Sequence, residues 1–244
     1  MIKIFITITK IVVATIIAVV FSSCRVDVNS IEGSGKVSTQ ERNISEPFSS
    51  VEAKRGLDVI IEQSAQQSVI VEADDNVQQH ITTKVNNGVL EISSDFNSFV
   101  NVKSKKITVR MPVIKSLSAS SGVNMKSGNL LTGDKLTIDS SSGSSVKLEI
   151  EADSVIAESS SGSHITLSGK ALSLDISASS GSQNNAQRLF ANDVRAQASS
   201  GSNIDVQPIV SLDAKASSGA SVDYHSTPKR LTKDESSGGN VSGN

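Results

Sequence analysis

An all-β fold, coiled as a solenoid of stacked repeats, is what this sequence predicts, and three observations predict it. The tripeptide Ser-Ser-Gly returns seven times, with its glycines at Gly122, Gly143, Gly162, Gly181, Gly201, Gly219 and Gly238. The intervals are 21, 19, 19, 20, 18 and 19 residues, and self-similarity at a fixed period of this size marks a repeat architecture. Around each glycine, aliphatic residues alternate with polar ones, and no stretch sustains an i, i+3, i+4 stripe. Period-two alternation is the mark of half-buried strands.

Counting from the glycines gives each unit its parts. Five residues before the glycine stand Leu117, Ile138, Ala157, Ile176, Ala196 and Ala214, and three after it Met125, Val146, Ile165, Ile204, Val222 and Val241. A unit therefore reads as strand, Ser-Ser-Gly corner, strand, second corner. Glycine suits the first corner because it takes a positive φ without a Cβ penalty. Turn residues at Gly128-Asn129, Gly169-Lys170, Gln207-Pro208 and Thr227-Pro228 predict the second. Nineteen residues cannot bury an apolar face alone, but coils stacked about 4.8 Å apart bury it together. By parity with the aliphatic positions, the serine next to each glycine (Ser121, Ser142, Ser161, Ser180, Ser200, Ser218 and Ser237) is expected to point inward and form a hydroxyl ladder. The alternative is an outward serine face that binds a glycan.

Residues 35–112 keep the strand chemistry without the tight repeat. Leu57–Ile61, Val69–Val71, Val89–Ile92 and Ile107–Val109 read as strands, and Asn86-Asn87-Gly88 as a hairpin or corner. No Pro- or Gly-rich linker separates this part from residues 113–244, so one continuous domain is expected.

The first 23 residues read as an export signal: Lys3 and Lys10, then an apolar run from Ile11 to Phe21. That run is too short for a bilayer, which needs about 20 residues. Ser22 and Ser23 precede Cys24, the only cysteine, so no internal disulfide can form. The string Phe21-Ser22-Ser23-Cys24 resembles a lipobox, which implies that Cys24 becomes the lipidated first residue and that the membrane is a partner through this anchor. Losing Lys3 and Lys10 takes the net charge from −2 to −4. Residues 24–34, with Gly33, are expected to be a flexible spacer.

Little in the chain points to chemistry. An enzyme needs a convergent set of acids, bases or ligands, yet His80, His164 and His225 lie far apart with no ligand spacing. His164, two residues past Gly162, reads as a surface position. Asp175, Asp193 and Asp213 recur about once per unit and could pair as glycosidase carboxylates do, but Arg195 and Lys215 fall among them. Asp74-Asp75-Asn76 lacks the glycine and distal glutamate of a calcium loop and reads as a solvated turn. Aromatic residues are only 3% of the chain and the net charge is negative, which speaks against nucleic acid. Tyr224 falls on an inward position. No cofactor and no metal are expected.

The sequence resembles the Bacteroidetes putative auto-transporter adhesin, head GIN domain family. The resemblance is carried by Gly33-Ser34-Gly35, Phe48, Gly56-Leu57-Asp58-Val59, the segments 71–76 and 87–92, and the Ser-Ser-Gly units, over about residues 31–240. It implies a single right-handed parallel β-helix and a role in adhesion, with no catalytic residues. The expected function is a non-catalytic, lipid-anchored protein of the outer membrane, periplasmic or surface-facing, with a glycan or host-surface ligand and scope to self-associate. The alternative is a polysaccharide-binding or polysaccharide-processing envelope protein.

Overall fold

The computed structural model describes residues 29–243, and every structural statement below concerns that range. It contains nineteen strands and one short helix. The first part of the chain supplies β1 (Ser30–Glu32), β2 (Val37–Arg42), β3 (Ser50–Ala53), β4 (Asp58–Gln63), β5 (Ser68–Asp74), α1 (Asp75–Gln78), β6 (Ile81–Asn86), β7 (Val89–Ser94), β8 (Ser98–Val100) and β9 (Lys105–Met111). The repeat region supplies β10 (Ser116–Ala119), β11 (Asn124–Ser127), β12 (Leu131–Ser140), β13 (Ser145–Ser159), β14 (His164–Ala178), β15 (Gln183–Ala198), β16 (Asn203–Ala216), β17 (Ser221–Tyr224), β18 (Arg230–Glu235) and β19 (Asn240–Gly243).

The repeat region is a parallel β-solenoid. Each long strand pairs in parallel with its counterpart one coil away, as Val146 with Ile165 and Ala157 with Ile176. The aliphatic positions named from the sequence are inside: Leu117, Ile138, Val146, Ile165, Ile176, Ile204 and Val222 are all buried. Every second residue enters a shared interior that runs the length of the stack, which is why one coil could not hold it alone.

The Ser-Ser-Gly corners form a column. Each glycine N–H donates to the carbonyl of the adjacent corner's second serine, from Gly122 to Ser142 through Gly219 to Ser237, at 3.1–3.2 Å. Gly56 extends the column, its N–H donating to the Ser121 carbonyl at 2.8 Å. Arg55 and Gly56 both have φ of 66°. The sequence reading found seven corners and missed this one, because arginine stands where the others have serine.

Parity misjudged the serines. Ser121, Ser142, Ser161, Ser180, Ser200, Ser218 and Ser237 all have φ between 48° and 55°, and the glycine after each is also positive. The Ser144 N–H donates to the Ser141 carbonyl across Ser142-Gly143 at 3.2 Å, as in a type I′ turn. Two consecutive left-handed residues reset the alternation, so Ser142 and Gly143 both face solvent. The serine after the glycine is the buried one: Ser144, Ser163, Ser182 and Ser202. The hydroxyl ladder exists, built from these. Ser163 Oγ donates to the Ser140 carbonyl at 2.7 Å and accepts from the Ser160 N–H at 3.2 Å. Ser202 Oγ donates to Ala178 O at 2.8 Å.

The second change of face also differs from expectation at two places. Gly128-Asn129 and Thr227-Pro228 do lie between strands. Gly169-Lys170 and Gln207-Pro208 lie within β14 and β16. In β13 and β14 the inward alternation skips at Asp153-Ser154 and Leu172-Ser173, where two successive side chains face outward. Gly169 serves a different need: with φ of 114°, a Cβ there would lie 2.0 Å from the Ile150 carbonyl oxygen. The longer interval between Gly181 and Gly201 is taken up by register shifts around 186–190, so the corner column stays aligned.

The N-terminal part closes one end of the stack. β3 and β4 form a coil beneath β10 and β11, and β7 and β9 pair in parallel on its other side. The chain thus builds outward and returns to start the repeats. Beyond that layer the pairing turns antiparallel: β6 on β7 through the Asn87-Gly88 hairpin, β5 on β9, and β2 on β5. These strands cover edges that would otherwise be open to further pairing.

Residues 30–34, expected to be flexible, are docked. β1 pairs with β8, and Gly33 is needed for close approach, since a Cβ would lie 2.5 Å from Asp74 Oδ2. Residues 24–28 fall outside the described range. The Asp74-Asp75-Asn76 segment holds this lock and is not a solvated turn. Asp74 is buried and accepts N–H bonds from Gly35 at 2.8 Å and from Lys103 and Ser104 at 3.0 Å. Burial raises its pKa, but the bonds from Ser104, Gly35 and Lys103 outweigh it, with the Lys103 charge, and hold it below the ordinary aspartate value. Asn76 bonds Ser34 N and Glu32 O. Two motifs of the family resemblance, Gly33-Ser34-Gly35 and Asp74-Asp75-Asn76, therefore meet as one structural clamp.

Candidate functional site: the outer faces of the coils

The interior is filled, so whatever this body recognises must meet its outer files of side chains. One file, two residues past each glycine, is almost wholly small and polar: Asn124, Ser145, His164, Gln183, Asn203, Ser221 and Asn240, continuing to Asp58. His164 is exposed there, as the sequence implied. The seven corner serines form a neighbouring exposed edge, with hydroxyls at the spacing of the coils.

The aspartates weighed as a carboxylate pair are split by a cation. Asp175, Arg195 and Asp213 are register partners in one file. Asp193 sits in another, between Ser173 and Ser211, 3.7 Å from Arg230. The first file alternates in sign, and Asp175 and Asp193 line one concave surface together with Arg195. Among the described residues, no group of three or more His, Cys, Asp or Glu is placed to hold a metal. His225 Nε2 lies 2.9 Å from Asp205, and His80 Nδ1 lies 3.2 Å from Asp95. The two histidines serve separate local contacts. Tyr224 is half-buried against the core, with Lys233 Nζ 4.9 Å from its ring centroid. Cys24 lies outside the described residues.

Two concave surfaces escaped the sequence reading. One, of about 740 Å³, lies where the coils change face and carries Leu172, Phe190 and Ile209. These are 55%, 50% and 45% exposed, an apolar patch rimmed by Asp134, Asp153 and Asn192. The outward turn of Phe190 is set by the shift at Gln187-Arg188, which period-two counting does not reveal.

The other, of about 540 Å³, lies where the N-terminal layers meet the first repeats. Lys103, Lys105, Lys106, Lys126 and Lys147 line it, and Asp58 is the only carboxylate on its wall. Lys126 and Lys147 are register partners on adjacent coils. Lys106 is paired with Glu72 at 2.8 Å, a contact that, ahead of the opposing effect of burial, holds the Glu72 carboxyl below its usual pKa. Lys105 donates to the Gly56 carbonyl and lies over Phe99. The signal was in the sequence: Lys126 and Lys147 share the fourth position after a glycine, and Lys103, Lys105 and Lys106 fall within four residues of one another. Overall charge concealed it.

Comparison with known proteins agrees with this architecture. A putative adhesin from Bacteroides fragilis NCTC 9343 superposes with a TM-score of 0.82 at 22% identity, covering 88% of this chain and 100% of that one. A protein from Parabacteroides distasonis ATCC 8503 described as a putative lipid binding protein gives 0.72 at 18%, over 88% and 99%. A putative adhesin from Parabacteroides merdae ATCC 43184 gives 0.69 at 18%, over 88% and 99%. At these identities the likeness speaks for the fold alone. No curated protein matches by sequence. The family model for "Putative auto-transporter adhesin, head GIN domain" matches residues 47–228, from the first coil through the last full repeat, and the chain belongs to that family.

Proposed function

We propose that this protein is a lipid-anchored, non-catalytic binding head of the bacterial envelope, adhesin-like in role, tethered through Cys24 to the outer membrane. The observation that carries the reading is the outer surface itself. Long files of amide and hydroxyl groups, most of them exposed, stand at coil spacing on a rigid body, while the titratable groups are dispersed along it. Such a surface suits many weak contacts with an extended or repetitive ligand, whose sum grows with the number engaged. Family membership supports the adhesive role.

Glycan-array and host-surface binding by the mature protein, purified from Cys24 onward, tests the reading. Binding to a defined set of surface ligands is expected; silence across both assays removes the adhesive role. Cleavage of uronic-acid polymers that disappears in Asp175→Ala or Asp213→Ala would overturn the non-catalytic part.

A further inference from the structure

We infer that the lysine-lined groove between the N-terminal layers and the first repeats binds an extended anionic polysaccharide, one bearing carboxylate or sulfate groups. The inference deepens the proposed binding role by naming a site and a ligand class, and it rests on that role.

Three features converge. The first is a concentration of positive charge on an acidic protein, with five lysines on one concave wall against a single aspartate. That aspartate, Asp58, is already engaged by Asn124 Nδ2 at 2.9 Å.

The second is that three of the five ammonium groups are uncommitted. Among the described residues, Lys103, Lys126 and Lys147 take part in no salt bridge, unlike Lys106 with Glu72. Lys126 and Lys147 are neighbours across one coil interval, about 4.8 Å. Like charges facing each other on adjacent strands are unfavourable. An anion lying between them reverses the sign. The carboxylates facing them are few: Glu62 is held by Arg110 at 2.8 Å, and Glu149 lies two residues along the same face from Lys147.

The third is shape and direction. Lys126 and Lys147 follow the solenoid axis, and their file continues into Thr166 and Asn185, which can bond hydroxyl groups, before Asp205 and Asp223 end the stretch open to an anion. A chain carrying acids at intervals could lie along it, its charges at the lysines and its hydroxyls on the amide and hydroxyl files beside them. The groove lacks what the main competing partners need. Among the described residues, none of the large exposed apolar side chains, Leu172, Phe190 and Ile209 included, lies on it to enter a bilayer. No aromatic ring lies on it for stacking bases, and Phe99 is half-buried beneath Lys105.

The test measures binding of the mature protein to polygalacturonate, heparin, dextran and phosphatidylglycerol vesicles at two salt concentrations. Expected are binding to at least one of the two acidic polymers, weakening as salt rises, and none to dextran. Lys126→Glu with Lys147→Glu should lower that affinity at least tenfold with an unchanged melting temperature, while Lys170→Glu, on a different face, leaves it intact. Equal binding by the double variant, or equal binding to dextran, overturns the site. Vesicle binding without polymer binding overturns the ligand class and makes the groove a membrane contact. Silence toward both acidic polymers, with neutral glycans bound on the array, sinks this inference and leaves the binding role standing.

Discussion

Two glycine-to-alanine substitutions separate the corner column from the tight packing of the coils. At Gly162, φ is 69° and an added Cβ meets nothing within 4 Å. The cost of Gly162→Ala is therefore conformational only. Holding an L-residue in the left-handed region costs about 1–2 kcal/mol. The less flexible unfolded chain returns about 0.4–1 kcal/mol. The net loss is about 1 kcal/mol, or roughly 2–4 °C in melting temperature for a domain of this size. At Gly169 the same methyl would sit 2.0 Å from the Ile150 carbonyl oxygen and 3.0 Å from its carbon, both backbone atoms that the parallel pairing holds in place. Adding backbone strain of about 1–3 kcal/mol to displacement of a packed neighbour, about 1–3 kcal/mol, gives about 2–6 kcal/mol. Thermal unfolding followed by far-ultraviolet circular dichroism, and by fluorescence of Tyr224, reads both variants. Tyr224, the only tyrosine in a chain without tryptophan, reports from the far end of the stack. Coincident transitions would license a single free energy for the array. Equal losses at the two sites, or a neutral Gly169→Ala, would refute this account of why each glycine is there.

Three further outcomes are expected. Ser163→Ala, which strips a partner from the buried Ser140 carbonyl and the Ser160 N–H, should cost about 1–2 kcal/mol in urea unfolding, whereas exposed Ser161→Ala stays within about 0.5 kcal/mol; the reverse order would restore the inward placement of the corner serines. Asp74 has a depressed folded-state pKa, so its stabilisation is present above the unfolded value near 4 and is lost as pH falls through the lower folded value. Asp74→Asn should therefore be the less stable protein at pH 7, with the gap closing below about pH 4 in pH-dependent melting. Cys24→Ala should move the protein from the membrane fraction to the soluble envelope fraction, read by blotting after cell fractionation; retention in the membrane would sink the lipid anchor.

What was legible in the sequence was whatever repeats. Seven glycines at near-constant spacing disclosed the coil, and period-two alternation sorted Leu117, Val146 or Ile176 to the interior, because stacking imposes the same demand on every unit. Parity failed where local backbone geometry breaks the alternation. Counting assumes extended residues, and a corner with two successive positive φ values exchanges the roles of Ser142 and Ser144. The same limit hid Phe190, turned outward by an extra residue, and the antiparallel layers, since an isolated strand carries no mark of its partner's direction. Asp74 looked solvated because its three backbone donors come from residues 39, 29 and 30 positions away.

The clamp and the candidate site share a segment, which links stability to recognition in this fold. Lys103 comes to the groove on the irregular segment between β8 and β9, and Lys105 and Lys106 open β9, so the repeat positions none of the three. Asp74 holds that segment, by taking the N–H groups of Lys103 and Ser104 on one carboxylate oxygen while its other oxygen holds Gly35. Lys126 and Lys147, by contrast, stand on repeat strands whose spacing is fixed by the coil. The groove is thus half solenoid and half cap. Weakening the cap should release Lys103 before it disturbs the pair on β11 and β13, because the latter are held by parallel neighbours on both sides. A ligand that needs both halves would sense the integrity of the N-terminal layers, and one that needs only the repeat pair would not.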